Sequence, residues 1–294
     1  MSNKLPVIGS TAASTDFVSL ELQLTNDGRS LHLDGNQKIS GWRPRANAFS
    51  LRAQAVTNRG CDAQISDPPA AHEDCPGSTE ACRASCYVGG LEKAQRAIYD
   101  LYDHNSRNIR DILAVGGGYA IDWADFLGGF IAKNCQDTGF RWHVSGDVFS
   151  AKYARWIVEV CRASLNVEHW IYTRSFDYVA DLIPVSSTRT GGNLSINISA
   201  DRDNIDEALD TASKHGLRVC YMATRAEDVH DLAHLIAGDV IFPDYALRPK
   251  GLTDPMLHWW WKSLTVDQRK MVCPVDAFGK SESVRCGVCT KCMK

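Results

Sequence analysis

From residue 140 to residue 243 the chain alternates short apolar runs with amphipathic ones at a nearly constant pitch. Phe140–Ser145, His169–Thr173, Leu194–Ser199, Leu217–Ala223 and Asp239–Phe242 read as strands. Ala151–Ala163, Tyr178–Ile183, Ile205–His215 and Asp228–Ile236 read as the helices between them. A strand at residues 47–56 adds an earlier unit, for about six βα units in all. Parallel strands need long crossovers, so this rhythm predicts an α/β fold with a parallel sheet or partial barrel.

The strands carry a second pattern. A parallel strand buried on both faces is almost continuously apolar, yet these alternate. Arg141, His143 and Ser145 share one face, opposite Phe140, Trp142 and Val144. Ser195, Asn197 and Ser199 oppose Leu194, Ile196 and Ile198, and Arg218, Cys220, Met222 and Thr224 oppose Val219, Tyr221 and Ala223. The apolar faces suit helix packing and leave a polar lumen. A closed eight-stranded barrel fills its lumen with branched apolar side chains; a polar one predicts an open, partial (β/α)6 barrel around a polar ligand. The alternative is an α/β sheet with one exposed face.

On this reading residues 1–45 are a turn-rich N-terminal extension with a strand at Val18–Leu24, and residues 46–245 form the barrel. Residues 246–294 form a cysteine-rich module. Helical spacing covers Leu91–Leu113, Gly116-Gly117-Gly118 ends it, and Ile121–Lys133 is a second helix. The net charge of −3 argues against nucleic-acid binding over the whole surface. No apolar run approaches the roughly 20 residues of a membrane span, and the first residues lack a secretory core. The expected compartment is the cytoplasm, where 11 cysteines read as ligands and core thiols rather than disulfides.

Three of those cysteines, Cys75, Cys82 and Cys86, stand on one loop, the candidate metal loop 75–86. Three thiolates leave a metal or cluster one ligand short, as a reactive centre requires; a zinc site or unrelated loop thiols are the alternatives. A second set, Cys273, Cys286, Cys289 and Cys292, is complete. Its two consecutive x2 spacings suit an iron–sulfur cluster or a four-thiolate zinc. Cys61, Cys135, Cys161 and Cys220 read as non-ligands.

Ligands of parallel α/β folds bind beyond the carboxyl ends of the strands. Those ends read Ser145-Gly146-Asp147, Thr173-Arg174-Ser175, Ser199-Ala200-Asp201 and Thr224-Arg225. Asp147 suits an ammonium group, and the two arginines suit carboxylates or phosphates. Asp201 and Asp147 also read as simple helix caps. The run His258-Trp259-Trp260-Trp261-Lys262 reads first as packing and second as a base-stacking surface.

This order of features resembles the radical S-adenosylmethionine superfamily. There a cysteine triplet follows the first strand of a six-unit partial barrel and a Gly-Gly-Glu-like motif follows the second. The resemblance implies a [4Fe–4S] cluster on Cys75, Cys82 and Cys86, with S-adenosylmethionine held by Ser145, Gly146, Asp147, Thr173, Arg174, Ser199 and Arg225. It further implies an external electron donor and a second cluster, or zinc, at the C-terminal cysteines. The spacing departs from the usual Cys-x3-Cys-x2-Cys: here it is x6 and x3, and Tyr87 follows the third cysteine.

The chain is also similar to a family of bacteriophage proteins that shares Cys-Pro-x-x-Thr-x-x-Cys-x3-Cys-Tyr, Asn105, Arg-x-His-x-Ser-Gly-Asp, Tyr-Thr-Arg and the cysteine tail. A phage setting implies a nucleotide or DNA base, duplex DNA included, as substrate for rearrangement or other modification in the host cytoplasm. The rival expectations are a zinc-containing base-modifying barrel with Asp147 as nucleophile or base, and a non-catalytic nucleic-acid-binding metalloprotein using Trp259–Trp261.

Overall fold

A computed structural model describes residues 7–12, 18–24, 29–35, 46–53, 74–86, 88, 96–243, 259–274 and 292. Its centre is a nine-stranded sheet whose spatial order equals its chain order. Strands β1 (Val7–Ala12), β2 (Val18–Leu22), β3 (Leu31–Gly35) and β4 (Ala46–Phe49) form an antiparallel meander. From β4 the sheet continues in parallel through β5 (Phe140–Trp142), β6 (His169–Thr173), β7 (Leu194–Ala200), β8 (Arg218–Ala223) and β9 (Val240–Pro243). The α/β class and the mostly parallel sheet are those expected from the sequence.

The helices are α1 (Glu80–Ala84), α2 (Arg96–Val115), α3 (Gly117–Asn134), α4 (Ala151–Arg162), α5 (Val179–Leu182), α6 (Ile205–His215), α7 (Trp259–Ser263) and α8 (Val266–Met271). Parallel crossovers are right-handed, so strands added in one direction place their connecting helices on one face. That face is apolar. Trp142 packs edge-on to Phe49, Phe140 and Trp156 at 6.1, 5.2 and 6.3 Å. It also stacks on His169, to which its indole N–H donates at 3.2 Å. Burial holds His169 neutral, with a pKa of about 3.

Residues opposite one another in a parallel ladder project to the same side, and side alternates along each strand. The register Arg141↔Trp170↔Ser195 and Tyr172↔Asn197↔Arg218 therefore puts these six on the face away from the crossovers. Ser199, Cys220 and Val240 share that face one step on. The alternation predicted from sequence places Arg141, Ser195, Asn197, Ser199, Arg218 and Cys220 correctly.

His143 departs from it. Its φ of 59° ends β5 at Trp142 instead of Ser145, and its imidazole hydrogen-bonds the Tyr153 hydroxyl on α4 at 2.8 Å. Burial holds His143 neutral as well, near a pKa of 3. The helix expected at 228–236 is instead two 3-10 turns, Ala226–Val229 and Asp231–His234. The Asp228 carboxylate accepts from the amides of Thr224 and Arg225 at 2.7 and 3.1 Å, tightening the chain before an α-turn can form. Of the three consecutive glycines only Gly116 breaks the helix, because α3 starts at Gly117. Residues 91–95 of the expected helix lie outside the described residues. Trp260 and Trp261 are buried in the main core, so packing accounts for both.

The meander is bolted to α2 by Asn105, which is fully buried. Its carbonyl accepts from the His32 amide at 2.7 Å, and its amide donates to the carbonyls of His32 and Ser50 at 2.8 and 2.9 Å. Removing it strands buried backbone groups at about 1–3 kcal/mol each. Asn105→Ala is expected to lower unfolding free energy by about 3 kcal/mol in a denaturant titration, whereas Asn108→Ala should change it by under about 0.5 kcal/mol.

Beside this bolt, burial pushes the Asp34 carboxyl up to about 6, against hydrogen bonds from Ser50 and others. A raised folded-state pKa means stability is greatest below the unfolded value near 4 and is lost as pH rises through 6. Two pKa units correspond to roughly 3 kcal/mol. Asp34→Asn should therefore gain on the wild type by about that much between pH 4 and pH 6.5, read from paired urea titrations.

Candidate functional site

The loop carrying Cys75, Cys82 and Cys86 lies across the carboxyl ends of β5, β6 and β7, and four contacts fix it there. After β5, the Asp147 amide donates to the Asp74 carbonyl at 2.6 Å. After β6, Gly77 sits against the backbone of Arg174, where an added Cβ would stand 2.0 Å from the Arg174 carbonyl oxygen. After β7, the Thr79 hydroxyl donates to Asp201 Oδ2 at 2.6 Å and the Ala81 amide to Asp203 Oδ2 at 2.7 Å. Thr79 also caps α1, accepting from the Cys82 amide at 2.9 Å. One hydroxyl thus starts the helix bearing Cys82 and ties it to the sheet.

Beneath the loop the strand ends are joined by carboxylates. Asp147 accepts from the Val148 amide at 2.7 Å and from the Arg174 amide at 2.8 Å, linking β5 to β6. Burial raises its pKa, against hydrogen bonds from the Thr173 side chain and those two amides. Thr173 Oγ1 in turn accepts from the Ser175 amide at 3.0 Å. Asp201, wholly buried, accepts from the Asp203 amide at 3.0 Å and lies 3.3 Å from Arg174 Nη2. Asp74 pairs with Arg110, whose guanidinium lies over the Phe149 ring at 3.9 Å. Gly146 has φ +80°, and a Cβ there would meet Leu51 Cβ at 2.5 Å. That close approach lets the Leu51 amide reach the Ser145 carbonyl at 2.9 Å.

Several polar atoms at these strand ends are buried without a hydrogen-bond partner: Ser145 Oγ, Ser175 Oγ, Arg174 Nε and Arg174 Nη2. Arg174 Nη2 is within ion-pair distance of Asp201 but misaligned for a hydrogen bond, so the two are paired in charge alone. Cys82 belongs to the same neighbourhood. Burial pushes its thiol up, Arg174 pulls it down, and Cys86, Asp201 and Asp147 push it further up.

Cys75, Cys82 and Cys86 are all half-buried and in the thiol form. Cys86 packs against Ala53, Val88, Ile98, Leu101 and Tyr102. Among the described residues no three His, Cys, Asp or Glu side chains converge closely enough to hold one metal ion. Cys86 lies near enough to Cys82 to act on its thiol, but the three cysteines form no ligand shell.

The other expected site residues divide. Asp147 and Arg174 meet the loop, Thr173 bonds Asp147, and Ser145 and Gly146 lie against Leu51. Ser199 faces the polar side of the sheet beside Cys220. Arg225 turns to Asp228 of its own 3-10 turn at 3.2 Å, with its side chain 56% exposed. Of the tail cysteines, Cys273 is buried beside β9, its amide donating to the Ile241 carbonyl at 2.8 Å. Cys292 reaches the polar face of the sheet, where its carbonyl accepts from Asn197 Nδ2 at 3.1 Å. Cys286 and Cys289 lie outside the described residues. Sequence reasoning missed Asp74, Asp203 and Arg110 as loop anchors. Thr79 carried a legible signal, a Thr three residues before Cys82 at a helix start, but its bond to Asp201 crosses 122 residues.

The family model described as Gene product 88 matches residues 27–294. The chain belongs to the Gene product 88 family. Among curated relatives, the Gene 88 protein of Mycobacterium phage D29 is 32% identical over 156 residues, covering 51% of this chain and 61% of the relative. The Gene 88 protein of Mycobacterium phage L5 is 31% identical over 157 residues, with the same coverage. The chain thus spans about three fifths of the length of these relatives. No solved structure matches it. Among the described residues no helix is long and apolar enough to cross a membrane.

The clamp yields a direct test. Thr79→Val removes the bond to Asp201 and the α1 cap, a loss of about 1–2 kcal/mol confined to the loop. Amide hydrogen exchange in residues 80–86 should accelerate several-fold while that of β6 and β7 stays unchanged. Unaltered exchange in 80–86 would show that the loop is held by something else.

Proposed function

We propose that this phage protein is a radical S-adenosylmethionine enzyme whose reactive centre is the Cys75, Cys82, Cys86 loop. The observation that carries this reading is the clamping of that loop over the carboxyl ends of β5, β6 and β7, where ligands of parallel α/β folds bind. A [4Fe–4S] group held there by the three thiolates would supply, with bound S-adenosylmethionine, a hydrogen-abstracting 5′-deoxyadenosyl radical. The donor set fits such a group: three half-buried thiols on one loop, near strand ends where Ser145 Oγ, Ser175 Oγ and Arg174 Nε are buried without a hydrogen-bond partner and could hold a polar cofactor.

The roles of this chain's own residues follow. Asp147 fixes the Arg174 backbone, so that the guanidinium is presented near Cys82. Arg174 balances the negative charge of thiolates in a site where Asp147 and Asp201 would otherwise repel them. The polar face carrying Ser195, Asn197 and Ser199 would line the substrate space.

We further infer that the sheet curls into a partial (β/α)6 barrel. Tyr172 on β6 and Phe242 on β9 meet at 5.6 Å between ring centroids, although three strand spacings on a flat sheet separate their backbones by about 14 Å. A concave face brings such side chains together. The proposed substrate is a nucleotide or DNA base, rearranged or otherwise modified in the host cytoplasm, with electrons from an external donor. The C-terminal cysteines would hold a second cluster or a zinc ion.

Anaerobic reconstitution of the full chain with iron and sulfide should give four-iron clusters and, with dithionite and S-adenosylmethionine, 5′-deoxyadenosine. Cys82→Ala is expected to lower 5′-deoxyadenosine formation at least 100-fold, while leaving the C-terminal metal in place. A Cys82→Ala protein that still forms it, or a wild type carrying zinc without labile sulfide, would overturn the assignment.

A further inference from the structure

The three thiols of the cysteine loop are seated by different elements. Cys82 stands on α1, which Thr79 caps and ties to Asp201, while the Ala81 amide beside it bonds Asp203. Cys86 packs on α2, against Ile98, Leu101 and Tyr102. Cys75 precedes α1, and its carbonyl accepts from the Ser78 amide at 3.0 Å. The residue before it is anchored separately. Asp74 is fully buried, its carbonyl accepting from the Asp147 amide at 2.6 Å and its carboxylate pairing with Arg110 of α2.

Arg110 rests on aromatic support. Its guanidinium lies over the Phe149 ring at 3.9 Å, while its Nε is buried and makes no hydrogen bond. A ring face and the Asp74 carboxylate therefore set where the charge points. Phe149 stacks on Tyr153, with centroids 4.6 Å apart and planes 12° from parallel. Between them in sequence stands Ser150, whose hydroxyl caps α4 by accepting from the Tyr153 amide at 3.2 Å. The Tyr153 hydroxyl meets the His143 imidazole at 2.8 Å. His143 reaches it through its φ of 59°, a conformation that side-chain-bearing residues keep where surrounding contacts hold them in it. The base of this arrangement is fastened to the end of α2, where Lys152 donates to the Leu113 carbonyl at 2.6 Å. His143, Tyr153, Phe149 and Arg110 thus form a continuous column from the end of β5 to Asp74.

We propose that Arg110 is a positioning residue for Cys75: seated on the column of Phe149, Tyr153 and His143, it fixes Asp74 and through it the place of the adjacent thiol. This rests on the reading of the loop as the reactive centre, and it gives each of the three cysteines an anchor of its own. A reactive constellation must be held to within about 0.5 Å of its working geometry by groups that are themselves locked. Arginine suits the task because a planar guanidinium stacks on a ring face while its edge pairs with a carboxylate.

The test is amide hydrogen exchange in the metal-free full chain. The reporters of the Cys75 end are the Asp147 and Ser78 amides, which bond Asp74 and Cys75; those of the Cys82 end are the Cys82 and Arg83 amides, which bond Thr79. In Arg110→Ala, exchange at Asp147 and Ser78 should rise about ten-fold, while Cys82 and Arg83 stay within about two-fold of the wild type. Millimolar guanidinium chloride should restore the slow exchange, and equal sodium chloride should not. A merely structural loss would show no such rescue. Unchanged exchange at Asp147 and Ser78 overturns the proposal, and so does an equal rise at all four amides that guanidinium leaves in place. Should Arg110→Ala fail to fold, Phe149→Leu keeps both charges and removes only the platform. It should give the same pattern in weaker form, and wild-type exchange in that variant overturns the column. Iron uptake on reconstitution reads the cluster assignment separately: a wild type that takes up no iron at the loop sinks that assignment, while the exchange pattern alone decides the role of Arg110.

Discussion

The clamp between the cysteine loop and the strand ends is the constraint on which the rest of the site depends. A short loop with glycine, proline and three thiols has little apolar surface of its own to bury, so its position must come from hydrogen bonds. Those bonds end on Asp201 and Asp203, while Asp74 within the loop holds the β5 end. Because Asp201 and Asp74 are fully buried, each bond lies in a medium where an unmade partner is costly. That cost makes the loop's seat unique. At Cys82 burial pushes the thiol up, Arg174 pulls it down, and Cys86, Asp201 and Asp147 push it further up.

The two faces of the sheet divide the labour. The helix-covered face is a conventional aromatic and aliphatic core in which Trp142 is central, and its two histidines are kept neutral by burial. The opposite face is polar, and much of it is buried without a crossover helix to cover it. Cys273 and Cys292 supply part of its covering.

How much of this was legible beforehand depended on the range of the interaction. Strand and helix spacing is local, and Ile205–His215 and His169–Thr173 stand where periodicity put them. Errors came where one side chain overrode a local preference. Asp228 tightened a helical pattern into two 3-10 turns, and the positive φ of His143 turned it from the polar face to Tyr153. Of the residues expected to line a site at the strand ends, Asp147 and Arg174 are joined beneath the cysteine loop, whereas Arg225 turns to Asp228, three residues away.

The sequence by itself determined the α/β class, the parallel run of strands, the polar side of that sheet and the cysteines worth following. All of these rest on periodicity or spacing, which a chain carries locally. Only the tertiary structure decided that Thr79 would find Asp201, that Gly77 would lie under Arg174, and that Cys220 would pack with Cys273 and Cys292. Such pairings join residues scores of positions apart and leave no periodic trace. They form because folding removes water from both partners at once, and each must then satisfy the other.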